Sequence, residues 1–374
     1  MVSKSLKIPS LTDSVNPMKA LTLIPKVPYS LTLQDVNEPP SNPNQVLVRV
    51  LDAGLCRTDI EIMQGLYGET PQDSPYLILG HESLGIVEQI DPELSISQTT
   101  LQKNDYVVRL VRRPCLDTCL NCQHGQNDMC LTGNYTETGI KGINGNMAQY
   151  YSEDPHYLIK VPQSLRHIGV LVEPLSFVEK AIYQIYKVQE RMHWQPKTAV
   201  VLGAGPIGIL ATMILQSKGV NTHTLSRSKP QNKSEIIHST GASLELLADA
   251  YTRLEKKADI VIEATGNAAL LPHAMNFLNT NGVLCLTSVT GDNQKVQMPI
   301  SQINIDFVLG NKIMVGVVNA NREDYHRSVE RLLQFESQWP GLTSQLITKK
   351  VHYAEYKKVF DNLTGIKNVI QFSE

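Results

Sequence analysis

The sequence predicts an α/β protein in two parts, an antiparallel β-rich part and a parallel sheet wound with helices on both faces. Three observations predict it. Positions 18–170 hold short β-rich runs separated by turn-forming clusters. From about 175 onwards, strand-like runs alternate with helical patterns. A Gly-x-Gly-x-x-Gly string stands at the first strand-to-helix junction of that alternation.

In the first part the β-rich runs are 20–24, 45–51, 84–90, 106–111 and 157–161, parted by clusters such as Glu38-Pro39-Pro40-Ser41-Asn42-Pro43. A helical pattern over 177–191 then brings Val178, Ala181, Ile182, Ile185 and Tyr186 to one face. The second part reads as strand 199–202, helix 206–217, strand 222–225, strand 260–264, helix 268–278, and strands 283–287 and 313–318. A helix over 325–335 and a β finish near 369–372 form a tail too small to fold alone, which is expected to return to the first part. The expected division is 1–188 with 320–374 for the β-rich domain and 189–319 for the wound sheet.

The bulk numbers narrow the class. With 374 residues, 42% hydrophobic and 19% charged, the chain can bury a sizeable core. A formal net charge of −2 gives no reason to expect a nucleic-acid or anionic-membrane partner. The first thirty residues mix Lys4, Lys7, Asp13, Lys19 and Lys26 with prolines and hold no apolar core of signal-peptide length. The longest uncharged run, 198–217, is broken by Gly203, Gly205, Pro206 and Gly208, which suits strand, turn and helix better than a membrane span. A cytoplasmic protein is expected. Four of the six cysteines (Cys115, Cys119, Cys122 and Cys130) crowd into sixteen positions. In a cytoplasmic chain such crowding reads as metal ligation; in a secreted chain two disulfides would be the competing account.

Gly203-Ala204-Gly205-Pro206-Ile207-Gly208 follows an apolar strand and precedes an apolar helix. Gly203 suits the tight turn, Gly205 lets the backbone approach a pyrophosphate, and Gly208 lets helix and strand pack closely. The free N–H groups of the helix start face the phosphates. This is the dinucleotide fingerprint of a Rossmann domain. The second strand runs out into Leu225-Ser226-Arg227-Ser228, without the carboxylate that would meet the 2′-hydroxyl of NAD. Arg227, with hydroxyls from Ser226 or Ser228, would instead meet a 2′-phosphate, so NADP is favoured and NAD is the second choice. The bland alternative is an exposed arginine after a strand.

Cys56-Arg57-Thr58-Asp59 lies just past a strand, Gly80-His81-Glu82 opens another, and Glu173-Pro174 stands at the helix entering the second part. A Cys, a His and a carboxylate on separate elements, with one coordination position open, make the ligand set of a catalytic zinc. Each also has a plainer reading. Cys56 could be a small buried hydrophobe, His81 a satisfied core histidine, and Glu173 a carboxylate favoured by a helix dipole.

The order Cys-x-Thr, then Gly80-His81-Glu82 with Gly85 and Val87, then four cysteines, then Glu-Pro, then the glycine string resembles the medium-chain alcohol dehydrogenase superfamily over nearly the whole chain. Within it, Arg112-Arg113-Pro114, Tyr135-Thr136-Glu137-Thr138-Gly139-Ile140, Leu171-Val172-Glu173-Pro174-Leu175 and Gly316-Val317-Val318-Asn319-Ala320-Asn321 resemble the glucose (aldose) 1-dehydrogenases. The resemblance implies a GroES-like catalytic domain beside the Rossmann domain. It implies a catalytic zinc on Cys56, His81 and Glu173, with Glu82 as an outer or alternate ligand. Thr58 would carry a proton from the sugar hydroxyl, Glu137 and Asn319 would meet sugar hydroxyls or the nicotinamide edge, and Lys367 would reach the cofactor. Glu137 as a solvated loop acid and Lys367 as a surface lysine stay open beside these roles.

Cys115-x3-Cys119-x2-Cys122-x7-Cys130 would hold a structural zinc. The resembled family has two residues between its first two cysteines where this chain has three, and one extra residue can bulge out. Were Cys115 to point away, Asp117 or Asp128 could replace it. Cys285, inside an apolar run, reads as a core residue. The function implied is oxidation of an aldose at C1 to a lactone with hydride transfer to NADP or NAD. A polyol, threonine or alcohol dehydrogenase is the related alternative, and a non-catalytic NADP-binding sensor is the alternative of another class. The apolar strand 313–318 is expected to be the edge that pairs two copies, giving a homodimer or homotetramer.

Overall fold

The structure, a computed structural model, describes residues 16–40, 43–94, 99–289 and 295–373. Residues 1–15, on which half of the leader reading rests, lie outside the described residues, as do 41 and 42 of the first turn cluster.

Alternation builds the first part. Val46, Val48 and Val50 of the strand Val46–Leu55 point into the core while Leu47 and Arg49 are only half buried. This strand is the hub of the larger sheet. It pairs antiparallel with Glu82–Ile90, with Tyr150–Glu153 and, near its end, with Lys367–Gln371. Tyr106–Arg109 and Leu158–Val161 extend the sheet on one side; Ile347–His352, parallel to Lys367–Gln371, extends it on the other. A smaller sheet of Pro17–Leu23, Thr32–Asn37 and Leu77–Ile78 shares this core, with Leu21, Leu23 and Leu77 packed among Val46, Val48 and Ile370.

The second part is a sheet of six parallel strands. In spatial order they are Ser243–Leu246, Asn221–Ser226, Thr198–Leu202, Ala258–Glu263, Leu278–Leu286 and Ile313–Gly316, which is 3-2-1-4-5-6 in order along the chain. This is the doubly wound dinucleotide order, whose ligand crevice lies beyond the carboxyl ends of the strands where the order reverses. Ala199 to Leu202 are all buried, as a strand covered on both faces must be.

The helix Pro206–Ser217 has its predicted bounds, set by Gly205 as N-cap and Pro206 as first residue. The helix Val172–Val188 starts before the predicted 177, because Pro174 is tolerated in a first turn and Glu173 is favoured there. The predicted helix 268–278 divides. Ala268–Leu270 is a 3-10 turn, Leu271–Phe277 is helical, and Leu278 already opens the next strand. The helix Arg322–Gln338, closed by an Asn321–Asp324 capping box, packs on Val172–Val188. Among the described residues no helix is long and apolar enough to cross a membrane.

Candidate metal and dinucleotide site

The strand Val46–Leu55 ends beside Cys56, which caps the short helix Arg57–Met63. Cys56 Sγ accepts from the Thr58 N–H at 3.3 Å, and the Cys56 N–H donates to the Asp59 carboxylate at 2.9 Å. The register Gly54↔Glu82 lays the start of Glu82–Ile90 against this turn. Gly80 makes the approach possible, with φ +93° and no room for a Cβ, which would fall 2.6 Å from Met147. As a result Cys56 Sγ lies 3.1 Å from His81 Nε2. One donor atom each from Cys56, His81 and Glu82 lies within 4.8 Å of the others.

The second ring nitrogen of His81 faces Asp59 Oδ1 at 3.5 Å, an ion-pair distance. Asp59 is fully buried and was not singled out in the sequence. Its signal was the Cys-x-x-Asp spacing of a capping box, easily overlooked because cysteine is an unusual cap. Burial opposes a charged His81, yet the acidic Cys56 and Asp59 hold its pKa well above the ordinary value. Glu173 faces the same cluster from the first turn of its helix, half buried. Burial lifts it to about 7; His81 and Lys367 draw it down, while Glu82 and Asp59 push it up. The converging donor set thus holds Glu82 beside Cys56 and His81, with Glu173 adjacent. Lys367 is buried here, donating to the Leu55 carbonyl at 3.2 Å and paired with Glu82, rather than standing at the glycine turn. Asp59, Glu82, Glu173 and Cys56 therefore gather acidity around the His81 ring and the Lys367 ammonium. A divalent cation is the group such a donor set fits.

The other cysteines converge as well. The Sγ atoms of Cys115, Cys119, Cys122 and Cys130 all lie within 4.8 Å of one another, and none forms a disulfide. The extra residue is absorbed at Thr118, which takes φ +46°, a rare conformation for a β-branched residue. Neither carboxylate replaces Cys115. Asp117 accepts from Asn134 at 2.5 Å, and Asp128 pairs with Lys180 at 2.6 Å. Four thiols at this spacing fit a closed tetrahedral metal site. Cys285 is fully buried in the sheet core.

Glu137 and Asn319, far apart in the chain, meet. Asn319 Nδ2 donates to Glu137 Oε1 at 2.9 Å, and Asn319 itself holds φ +58°. Arg112 grips the same carboxylate at 2.9 and 3.0 Å, lies over the Tyr135 ring and donates to the Asp128 carbonyl at 3.2 Å. Lys180 closes a second link, donating to the Val318 carbonyl at 2.8 Å. The Glu137 turn also abuts the His81 turn, since a Cβ on Gly139 would lie 2.4 Å from the Gly80 carbonyl.

At the head of the parallel sheet, a Cβ on Gly208 would fall 1.9 Å from the Gly203 carbonyl, so glycine is required there. A Cβ on Gly205 would meet nothing within 4 Å. That open backbone, at the N-terminus of the helix Pro206–Ser217 with Ile207 in its first turn, is the cradle a pyrophosphate fits. Gly203, φ +108°, donates to the Leu225 carbonyl at 2.8 Å, tying the turn to the second strand. That strand ends at Ser226, which bonds the Ser228 carbonyl, and Arg227 and Ser228 are exposed beside it.

Comparisons with known proteins agree with this architecture. The family model of the glucose dehydrogenase C-terminus matches residues 166–372, and that of the alcohol dehydrogenase GroES-like domain matches 42–163. A glucose 1-dehydrogenase of Methanocella arvoryzae is 40% identical over 91% of this chain and 95% of that protein. One from Thermoproteus tenax is 38% identical over 92% and 96%. The structure of Haloferax mediterranei glucose dehydrogenase in complex with NADP, Zn and gluconolactone superposes with a TM-score of 0.86 at 30% identity, over 96% of this chain and all of that one. On these likenesses, and with both cysteine-bearing sites folded, the chain belongs to the glucose 1-dehydrogenase family of the medium-chain alcohol dehydrogenase superfamily.

Proposed function

We propose that the chain oxidises an aldose such as glucose at C1 to the lactone, with NADP as the favoured hydride acceptor and NAD as the second. The observation that carries this reading is the convergence of Cys56, His81 and Glu82 beside Glu173, with the Glu137 turn packed against the His81 turn. Cys56, His81 and Glu173, with Glu82, are read as ligands of a catalytic zinc, and Cys115, Cys119, Cys122 and Cys130 as ligands of a structural one. When bound, the catalytic zinc lowers the pKa of the C1 hydroxyl, and the nicotinamide takes the hydride.

The rest falls to side chains. Asp59 pairs with the His81 ring. Thr58 receives the hydroxyl proton. Glu137 and Asn319 orient sugar hydroxyls or the nicotinamide edge, and Arg112 keeps the Glu137 carboxylate aimed. Gly203, Gly205, Pro206, Ile207 and Gly208 cradle the pyrophosphate, and Ser226, Arg227 and Ser228 meet the 2′-phosphate. Lys367, expected to reach the cofactor, is read instead as the counter-charge of Glu82.

The return of Lys367–Gln371 to Val46–Leu55 supports assigning 1–188 with 320–374 to the catalytic domain and 189–319 to the nucleotide domain. Six free cysteines suit the cytoplasm. Two copies are read as pairing through the edge strand Ile313–Gly316 and the helix Ile300–Leu309, which buries none of its residues and leaves Ile300, Val308 and Leu309 67%, 65% and 78% exposed.

A panel of aldoses and simple alcohols, assayed with NADP and NAD before and after chelation, tests the reading. Turnover of aldoses, lost on chelation and accompanied by two zinc per chain, is expected. Turnover of alcohols alone overturns the sugar assignment.

A further inference from the structure

The proton that Thr58 receives needs an exit to water. The Thr58 side chain stands beside the hydroxyl of Tyr67 and draws its pKa down against burial. Tyr67 in turn donates to Glu61 Oε2 at 3.1 Å, and the other Glu61 oxygen accepts from Arg57 Nε at 3.1 Å. The row runs outward: the Glu61 side chain is 19% exposed and that of Arg57 78%. Thr58 and Glu61 stand three positions apart on the helix Arg57–Met63, so they share a face. Tyr67 comes from the turn that follows, between Gly65 at φ +80° and Gly68 at φ +116°. That turn is clamped to the segment carrying Glu137, with the Glu69 N–H on the Ile140 carbonyl at 3.0 Å and the Gly142 N–H on the Glu69 carbonyl at 3.1 Å. A phenol held between a donor on one side and a carboxylate on the other is set to pass a proton along.

We propose that Tyr67 and Glu61 form the proton exit of the dehydrogenase, carrying the proton from Thr58 to bulk water. The proposal rests on the role read for Thr58 above. As the C1–H electron pair leaves as hydride for the nicotinamide and C1–O becomes a carbonyl, the hydroxyl proton passes to Thr58 Oγ. Thr58 gives its own hydrogen to the Tyr67 oxygen, Tyr67 gives its hydrogen to Glu61, and Glu61 releases a proton to water. Burial, joined by the neighbouring Glu61, holds the Tyr67 hydroxyl well above its ordinary pKa. Tyr67 therefore stays protonated and relays, while the carboxylate of Glu61 is the acceptor.

The test uses the zinc-loaded full chain oxidising glucose with NADP, as the parent and as Tyr67→Phe and Glu61→Ala. Both variants are expected to lose kcat about 10²-fold, with sugar KM and NADP Kd changed less than about threefold. Imidazole buffer should restore Glu61→Ala, because a small base can occupy the vacated position, and leave the parent unaffected. Melting curves separate loss of function from loss of fold. Unchanged kcat in both variants, or a loss in Glu61→Ala that imidazole does not repair in a folded protein, overturns the exit. A parent enzyme that turns over no aldose overturns the function itself, and the exit with it.

Discussion

On the proposed reading Arg227 would set the cofactor preference, because a guanidinium can grip a 2′-phosphate with paired charge-assisted bonds and gains nothing comparable from a 2′-hydroxyl. It is exposed at the end of its strand, so its removal should leave the fold intact. Arg227→Ala is expected to lower kcat/KM for NADP about tenfold or more, roughly 1.4 kcal/mol, while leaving kcat/KM for NAD unchanged; steady-state kinetics with both cofactors checks it. Glu245 shows a different effect of single side chains. Burial pushes its carboxyl up, but bonds from Ser243, Arg253 and His223 outweigh burial and bring it down from 4.5 to about 2. A depressed carboxyl adds stability above its unfolded pKa and loses it as pH falls through the folded one. Glu245→Gln should therefore melt below the parent at neutral pH, with the gap closing between about pH 5 and pH 2.

The glycine turn and its helix act as one element in which two glycines have separable duties. At Gly208 an added methyl runs into the Gly203 carbonyl, so Gly208→Ala should lower both the melting temperature and the affinity for NADP. At Gly205 the same position is open in the protein, and on the proposed reading the pyrophosphate would fill it. Gly205→Val should melt like the parent yet bind NADP at least about tenfold more weakly, as read by fluorescence titration. Equal losses at both positions would mean that Gly205 is a packing residue. The helix Val172–Val188 is likewise more than a connector. Its first turn carries Glu173 to the acid cluster, and Lys180 farther along ties Asp128 of the cysteine lobe to the Val318 carbonyl beside Asn319.

For the whole molecule, the strand Ile313–Gly316 is the border of the parallel sheet, and the helix Ile300–Leu309 before it in the chain packs Ile303 and Phe307 on the core while leaving Ile300, Val308 and Leu309 exposed. An unpaired edge together with exposed Ile300, Val308 and Leu309 would cost solubility unless a second copy covered them. Val308→Asp, which places a charge among these exposed side chains away from the site residues, is expected to convert a dimer to a monomer in light scattering. An unchanged mass would show that the copies meet elsewhere.

The elements that the sequence made legible are those with local signals. Pro206–Ser217 was bounded to the residue because glycine and proline mark a helix start, whereas Arg57–Met63, at seven residues, is too short for a periodic pattern. The candidate donors were legible too: the four-cysteine run by its crowding, and Cys56, His81, Glu82 and Glu173 by residue type joined to the family resemblance, since singly each had a plainer reading. Which carboxylate stands beside Cys56 and His81 was decided by the register Gly54↔Glu82 between two strands. Asp59 entered the site through a helix cap, and Glu137 met Asn319 across 182 positions. Residue type and short-range pattern are written in the chain because they depend on neighbours a few positions away. Convergence depends on sheet register and on the packing of distant elements, which only the folded molecule brings into being.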